Sequence, residues 1–387
     1  MRGSNTTVVT TETRTSEEFM AAVCNGTDKK PVMNGTGKSI SDKTLGYKPD
    51  IVWKNVSFYL YVHSAAVYAC YLCFTKTKVN TIIFALLLVT CGCVGITAGA
   101  HRLWSHRSYK ATWQLKIILG IFQTIAFQNH IFEWARDHRV HHKFSETDGD
   151  PHNAKRGFFF SHVGWLLMKK HPDVISKGKK IDVSDLEKDP VVVFQRKYYL
   201  ILMPVLAFIL PTMLPVYLWD EDLWVSWHMS LLRWTAGLNV TWLVNSAAHI
   251  WGYKPYDRNI SPVENPIVSF LAYGEGWHNY HHVFPFDYKT SELVFTINFT
   301  TAFINFFALL GWAYDLKTVS KETIRKRVGR TGNGWYKVHG NINQVINELH
   351  YESKENIWGW GDTDMKEEDY KCVELKDKTG QEEISHN

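Results

Sequence analysis

The chain has 387 residues, of which 45% are hydrophobic and 14% aromatic, and its formal net charge is +5. Its length allows one large domain or two small ones with a sizeable core. Because the positive charge is modest and basic residues are spread among acidic ones, the sequence argues against nucleic-acid binding. The six cysteines do not suggest a disulfide framework, and the aromatic content is typical of membrane interfaces.

Two long apolar segments follow a polar N-terminal region. Residues 1–50 show no apolar period, and we expect a mobile tail there. Ser57–Phe74 and Thr81–Ala100 are each about long enough to cross a bilayer as a helix. Only Thr75–Asn80 separates them, so they predict a helical hairpin with spans at about 57–74 and 81–100 that returns the chain to its starting side at His101.

A second hairpin is predicted from Leu200–Leu218 and Leu223–Leu243, with spans at about 200–218 and 223–243. Its connecting turn, Trp219–Asp222, is acidic, whereas basic residues flank its outer ends: Lys188, Arg196, Lys197, Lys254 and Arg258. Cytoplasmic flanks of membrane helices are enriched in Lys and Arg. We therefore expect both termini in the cytosol and the Asp220–Asp222 turn in the lumen.

Two further apolar segments are predicted not to span. Polar residues interrupt Trp113–Phe132. A span there would place the histidines before it and those after it on opposite sides of the membrane. We expect an amphipathic helix at the interface or packed on the bundle. Glu292–Trp312 contains Asn and Thr and receives the same interface assignment. The predicted membrane domain covers 51–325, and 326–387 is predicted to be a charged cytosolic C-terminal tail.

Eight of the chain's 18 histidines form three clusters. The clusters are His101 and His106; His138, His141 and His142; and His278, His281 and His282. Residues three and four apart share one face of a helix, so each triplet can point toward one centre. With four spans, all three clusters lie on one side of the membrane, as a shared centre requires.

Histidine clusters of this kind predict a transition-metal site. Imidazole suits Fe, Zn, Cu and Ni, whereas Mg and Ca prefer oxygen. A structural zinc takes about four ligands, so eight histidines predict two metal ions side by side. The predicted fold is an all-α membrane protein with four transmembrane helices in two hairpins and a cytosolic helical cap that holds a polyhistidine dimetal site. A membrane location indicates a lipid substrate, and iron is the imidazole-compatible metal that also activates dioxygen.

Four motifs resemble the animal acyl-CoA desaturases of the stearoyl-CoA desaturase type. They are Gly99–His106 (GAHRLWSH), Trp134–His142 (WARDHRVHH), Asn245–His249 (NSAAH) and Gly276–His282 (GWHNYHH). Arg156–Trp165 (RGFFFSHVGW) is similar to the insect branch. The resemblance covers roughly residues 45–325.

The resemblance implies an O2-dependent enzyme of the endoplasmic reticulum membrane that introduces a double bond into a long-chain fatty acyl-CoA. It implies two Fe2+ ions, a ninth histidine ligand at His249, and Asn245 reaching iron through water. From the residues alone, His249 is a core histidine. Electrons are expected from cytochrome b5 and its NADH-dependent reductase as separate proteins, because the sequence has no His-Pro-Gly-Gly motif of a fused cytochrome b5 domain.

The resemblance also implies substrate-binding residues. The coenzyme A head group is expected to contact Asn55, Asn129, Arg136, Lys169 and Lys170. Arg and Lys suit its phosphates. The kink of the acyl tunnel is expected to be lined by Gln128, Trp134, Thr241 and Trp242, for which plain core packing is the alternative.

The far end of the tunnel is predicted on the second span. Stepping back by fours from His101 gives Thr97, Cys93 and Val89 on roughly one face. At about 1.5 Å per residue, Val89 lies about 18 Å from His101. We expect Val89 and Cys93 to set the longest acyl chain accepted; the alternative is that they only pack against the first span.

Two other functions use similar residues. A membrane hydroxylase of alkanes or sphingolipids shares eight histidines but inserts oxygen, and the Asn245–His249 element favours desaturation. A metal transporter would bury its ligands in the middle of its spans, whereas these clusters flank them.

Overall fold

The computed structural model describes residues 49–292, 298–334, 360–361, 370–376 and 382–383. The predicted tail 1–50 therefore lies almost entirely outside the described residues, as does most of the predicted tail 326–387.

The described chain is mainly helical. In chain order its helices are α1 (Trp53–Thr75), α2 (Val79–Ser105), α3 (Trp113–Ala126), α4 (Ile131–Lys143), α5 (Pro172–Gly178), α6 (Ser184–Lys188), α7 (Pro190–Trp219), α8 (Leu223–Asn245), α9 (Ala247–Ile250), α10 (Pro266–Leu271), α11 (His278–Val283), α12 (Phe299–Leu309) and α13 (Lys321–Thr331). Short helical turns lie at Ala154–Arg156, Phe160–Gly164 and Trp165–Leu167.

Two small antiparallel sheets accompany the helices. Strand β1 (Lys110–Ala111) pairs with β2 (Ala313–Tyr314), placing Lys110 opposite Tyr314. Strand β3 (Leu316–Val319) pairs with β4 (Val373–Lys376), which pairs with β5 (Glu382–Glu383). The sequence pattern does not predict these strands. Strands β4 and β5 lie near the end of the chain and join it to β3, in the segment that follows α12.

The two predicted hairpins are confirmed. Helices α1, α2 and α7 are long and apolar enough to cross a membrane. Helix α8 has 23 residues, about 34 Å, which is also long enough. It is more polar and includes Arg233 and Asn239, because it packs against α1, α2 and α7 inside the bundle instead of facing lipid on all sides.

The two hairpin turns meet at one end of the bundle. The Lys78 backbone N–H donates to Glu221 Oε2 at 2.9 Å, and Lys78 Nζ donates to the Trp219 carbonyl at 3.0 Å. His101 lies about 33 Å farther along α2. The turns and the histidines therefore occupy opposite ends of the bundle.

Helices α3 and α4 form a bent pair. Their axes differ by 82°, and the turn between them holds Phe127 and Asn129 at positive φ. The predicted single helix Trp113–Phe132 is wrong in its boundary, since α3 ends at Ala126 and Phe132 belongs to α4. Helix α3 packs against α2 and α7 as expected for a helix on the bundle. A Cβ at Gly95 would overlap the backbone of Gln123, so a glycine is needed where α2 crosses α3.

Helix α12 is the described part of the predicted interface segment Glu292–Trp312. It has 11 residues, about 16 Å, which is too short to cross a bilayer. Its buried Ile304 joins the main apolar cluster with residues of α2, α3 and α4. This cluster lies beside the histidines and holds the helices that carry them.

Candidate metal centre

Four separate elements carry the histidines. His101 and His106 lie at the end of α2, and His249 lies on α9. Helix α4 carries the first triplet, His138, His141 and His142, and α11 carries the second, His278, His281 and His282. All nine are buried except His138, which is half-buried. Helical spacing places the members of each triplet on roughly one face, as the sequence predicts. The expectation that each triplet points toward one centre is wrong, because each triplet divides its rings between two centres.

A change of helix type aligns His101 and His106. The sequence predicts that the second span ends at Ala100, but α2 continues to Ser105, and its Gly95–Ser105 part is a π-helix. A π-helix bonds residue i to residue i+5, and the His106 N–H donates to the His101 carbonyl at 3.1 Å. Residues five apart therefore share a face, and the two ring centroids are 4.8 Å apart. In a regular α-helix the two rings would diverge.

The nine histidines form two adjacent groups. In the five-histidine group the ring nitrogens of His101, His106, His138, His142 and His281 lie within 4.8 Å of one another. In the four-histidine group the same holds for His141, His249, His278 and His282. The rings of His142 and His282 stack with centroids 4.1 Å apart and so join the two groups.

The donor set fits metal ions. Within the five-histidine group, His101 Nε2 lies 2.9 Å from His281 Nε2, and His106 Nε2 lies 2.8 Å from His138 Nε2. In the four-histidine group, His278 Nε2 lies 3.0 Å from His249 Nε2. A neutral imidazole has one N–H and one lone pair, so rings converging in this way cannot all be satisfied by hydrogen bonds to each other. A cation at the centre of each group would satisfy them.

Burial keeps these rings in the state that binds metal. Burial and the neighbouring imidazoles hold the pKa of His138, His142 and His282 well below 6.5. The same causes lower the pKa of His278 and His281. The lowered pKa keeps these five rings in the neutral form, which is the form of imidazole that coordinates a metal.

Three carboxylates contact histidines of the two groups at Nδ1. His141 Nδ1 is hydrogen-bonded to Asp150 Oδ1 at 2.9 Å, and His249 Nδ1 to Glu146 Oε1 at 3.0 Å. Glu275 Oε2 lies 2.8 Å from His101 Nδ1, and its other oxygen accepts from the buried Arg102. Carboxylates in this position fix the tautomer and turn Nε2 toward the metal.

Asp150 is held as a carboxylate. Burial alone would raise its pKa, but the neighbouring His141 and further hydrogen bonds lower the pKa of Asp150 to about 2. Glu146, Asp150 and Glu275 are not among the site residues that the sequence predicts. A signal was present, since the first two follow the second histidine cluster closely and Glu275 stands just before the third. His152 lies beside the four-histidine group, with its ring centroid 4.7 Å from that of His141.

A cavity adjoins both groups. Its wall combines apolar side chains with four of the histidines and with predicted site residues from α2, α4 and α8. The predicted residues on this wall are Cys93, His101, Trp134, His138, His141, Thr241, Asn245 and His278. A largely apolar cavity that ends at a metal site is a suitable place for a hydrocarbon chain.

The remaining predicted tunnel residues lie nearby or elsewhere. Gln128 Nε2 donates to Thr241 Oγ1 at 2.9 Å, which joins the α3–α4 turn to α8 beside the cavity. Trp242 is buried among Tyr59, His63 and His162 and is not among the cavity-lining residues. Val89 is half-buried and also lies outside the lining.

The predicted head-group residues lie in three places. Arg136 and Lys170 both contact Asp137, at 2.7 and 2.6 Å. Lys169 pairs with the exposed Asp50 at 3.0 Å, and Asn55 Nδ2 donates to the Leu166 carbonyl at 2.7 Å. Asn129 lies in the α3–α4 turn, where its carbonyl accepts from Gln123. The basic residues are thus already paired with acids, and phosphates would have to compete with those carboxylates.

The fold and the site define a class: a helical membrane protein with a polyhistidine dimetal centre beside an apolar cavity. A family model for fatty acid desaturases matches residues 79–313. The chain is 59% identical over 325 residues to an acyl-CoA Delta-9 desaturase of Acheta domesticus, covering 84% of this chain and 85% of the relative.

Two further relatives differ in the named double-bond position. An acyl-CoA Delta12-desaturase of Acheta domesticus is 51% identical over 91% of both chains. An acyl-CoA Delta(11) desaturase of Trichoplusia ni is 52% identical over 84% of this chain and 88% of the relative. The chain therefore belongs to the fatty acid desaturase family, and it is an acyl-CoA desaturase. The predicted family and reaction are confirmed.

Proposed function

We propose that the two histidine groups hold two iron ions and that the enzyme uses O2 to desaturate a long-chain acyl-CoA. The observation that carries this proposal is the convergence of nine imidazoles, eight of them buried, beside the apolar cavity. An unactivated methylene carbon has no useful acidity, so acid and base groups alone cannot remove its hydrogens. When bound, an iron pair supplies the oxidising power, with O2 taking the two hydrogens together with two electrons and two protons to leave two water molecules.

The protein's own part is to bind, orient and exclude water. Five histidines would hold one iron; the other four, with Asn245 acting through water, would hold the second. Asp150, Glu146 and Glu275 keep three of these rings turned toward the centre. The cavity wall, with Trp134 and Thr241, would hold the hydrocarbon chain, while Gln128 and Trp242 would shape its bend.

The head group would lie at the cytosolic surface. Asn55, Asn129, Arg136, Lys169 and Lys170 are the proposed contacts for coenzyme A. Arg136 and Lys170 both bind the Asp137 carboxylate. A phosphate that binds one of these cations would take the place of that carboxylate.

Electrons would come from cytochrome b5 and its NADH-dependent reductase, and the membrane would be that of the endoplasmic reticulum. The meeting of both hairpin turns supports a topology with cytosolic termini and a lumenal 220–222 turn. It also accounts for Lys78 in the first turn, since Lys78 Nζ is bound by carbonyls of the second turn. A glycosylation tag modified at either terminus but not in the 219–222 turn would contradict this topology.

The experiment is expression in yeast that lacks its own desaturase, followed by mass spectrometry of the fatty acids. We expect monounsaturated products, and from purified protein two irons per chain and O2 consumption that requires acyl-CoA and reduced cytochrome b5. Hydroxylated products would favour the hydroxylase. Two tightly held irons together with O2 consumption would exclude the alternative that the protein is a metal transporter.

A further inference from the structure

A charged residue lies in the middle of α8. Arg233 is only 4% exposed, and about 15 Å of helix separates it from the start of α8 at Leu223. An arginine at this depth is costly in a membrane and usually marks a functional site.

The contacts of Arg233 are backbone carbonyls of two other helices. Nη1 donates to the Ile125 carbonyl at 3.1 Å, and Nη2 donates to the Ala207 carbonyl. Ile125 lies in the last turn of α3, where carbonyls lack helical donors and carry the negative end of the helix dipole. Ala207 lies in α7, in the π-helical part Val205–Ile209, and its carbonyl also accepts from Ser230 Oγ at 3.5 Å. Arg233 thus connects α8 to the end of α3 and to α7.

The contact with Ile125 is one of several that α8 makes with the end of α3 and the turn that follows it. Trp234 Nε1 donates to the Phe127 carbonyl at 3.4 Å, and the two rings stack with centroids 5.1 Å apart. Farther along α8, Thr241 accepts from Gln128 at 2.9 Å. Helix α8 therefore holds the turn at successive points, and Arg233 is the first of them.

The turn controls the shape of the cavity. Phe127 and Asn129 keep the left-handed backbone that produces the 82° bend, a conformation that persists only when its surroundings enforce it. Helix α4, which leaves the turn, carries Trp134 and His138 on the cavity wall. A small change in the bend would shift this wall relative to the metal groups.

Relatives show that the position of attack can change while most of the chain is kept. The Delta-9, Delta12 and Delta(11) enzymes share 59%, 51% and 52% of aligned residues with this chain. We propose that Arg233 is a positioning residue that fixes the bend between α3 and α4 and thereby selects which carbon pair lies beside the metal centre. This inference rests on the proposed function, since it requires the acyl chain to occupy the cavity.

The test measures positional isomers. Arg233→Gln, Arg233→Lys and the parent are expressed in yeast that lacks its own desaturase and supplied with stearic acid. Double-bond positions are determined by mass spectrometry, and metal per chain is measured on purified protein. We expect Arg233→Gln to change the ratio of minor to major isomer by about two- to tenfold, the range that one hydrogen bond is worth between competing geometries. Arg233→Lys should change it less, because its ammonium can still reach one carbonyl.

Ser230→Ala is the matched control. Ser230 Oγ donates to the same Ala207 carbonyl, at 3.5 Å, but does not contact the turn, so the isomer ratio should stay that of the parent. A lower yield from Arg233→Gln with an unchanged ratio would show that Arg233 only stabilises the bundle, and would overturn the proposal.

A second variant decides the matter if Arg233→Gln does not accumulate. Trp234→Phe removes the hydrogen bond to Phe127 and leaves Arg233 in place, so the isomer ratio should shift in the same direction by a smaller factor. Parent ratios in both Trp234→Phe and Arg233→Lys would overturn the proposal. A parent chain without unsaturated product would instead overturn the proposed function itself.

Discussion

Replacing Asp150 by Asn should weaken one metal site and spare the other. Asp150 Oδ1 accepts from His141 Nδ1 at 2.9 Å, and Oδ2 accepts from the Glu146 backbone N–H at 2.9 Å. Asparagine has nearly the same shape, but one of the two oxygens becomes an NH2 group. Either His141 loses its acceptor or the NH2 group faces the N–H of Glu146.

The expected loss follows from the position of Asp150 behind a single ligand. Removing such a carboxylate typically lowers metal affinity by about 10- to 100-fold, or about 1.4–2.7 kcal/mol. His141 belongs to the four-histidine group alone. One of the two metal ions in each chain should therefore bind as tightly as in the parent, and the other should bind more weakly.

The assay is a titration of purified enzyme with a competing chelator, with metal per chain measured at each step. Asp173→Asn is the control, because Asp173 is exposed at the start of α5 and lies away from the ligands in sequence. Parent-like retention of both metals by Asp150→Asn would refute the orienting role. Equal weakening of both metals would refute the division into five and four ligands.

Three further predictions use other parts of the site. Alanine at any one triplet position should abolish unsaturated product while the protein still inserts, and wild-type yield from a well-expressed variant would contradict the site; the positions are His138, His141, His142, His278, His281 and His282. Cys93→Leu should shift products toward shorter acyl chains in a mixed-substrate assay, because Cys93 lines the cavity. Val89→Trp should do so less, and an unchanged chain-length profile in both variants would show that this face does not bound the tunnel. Trp360→Ala should lower the unfolding temperature by removing ring contacts with Phe286 and Tyr370 beside the His106 carbonyl. Trp251→Ala should lower it less, because Trp251 is exposed and stacks on Phe158 at the surface; equal effects would contradict a specific role for Trp360.

Local patterns were enough to predict the class of site and the hairpins. Histidines three and four residues apart share a helix face wherever the helix lies, and an apolar run of span length is recognisable by composition alone. Helix ends were less accurate. The spans extend beyond the apolar runs, and the break at Phe127 depends on a left-handed turn that contacts from α8 stabilise.

The division of nine ligands into two groups was decided only by the tertiary structure. His101 and His106 align because the end of α2 is a π-helix, and no spacing rule for an α-helix would pair residues five apart. His249 from the residues alone is a core histidine, and Glu146, Asp150 and Glu275 are ordinary loop acids. They meet at the site because packing brings together segments distant in sequence, such as Glu146 and His249, and the resulting contacts depend on the whole fold.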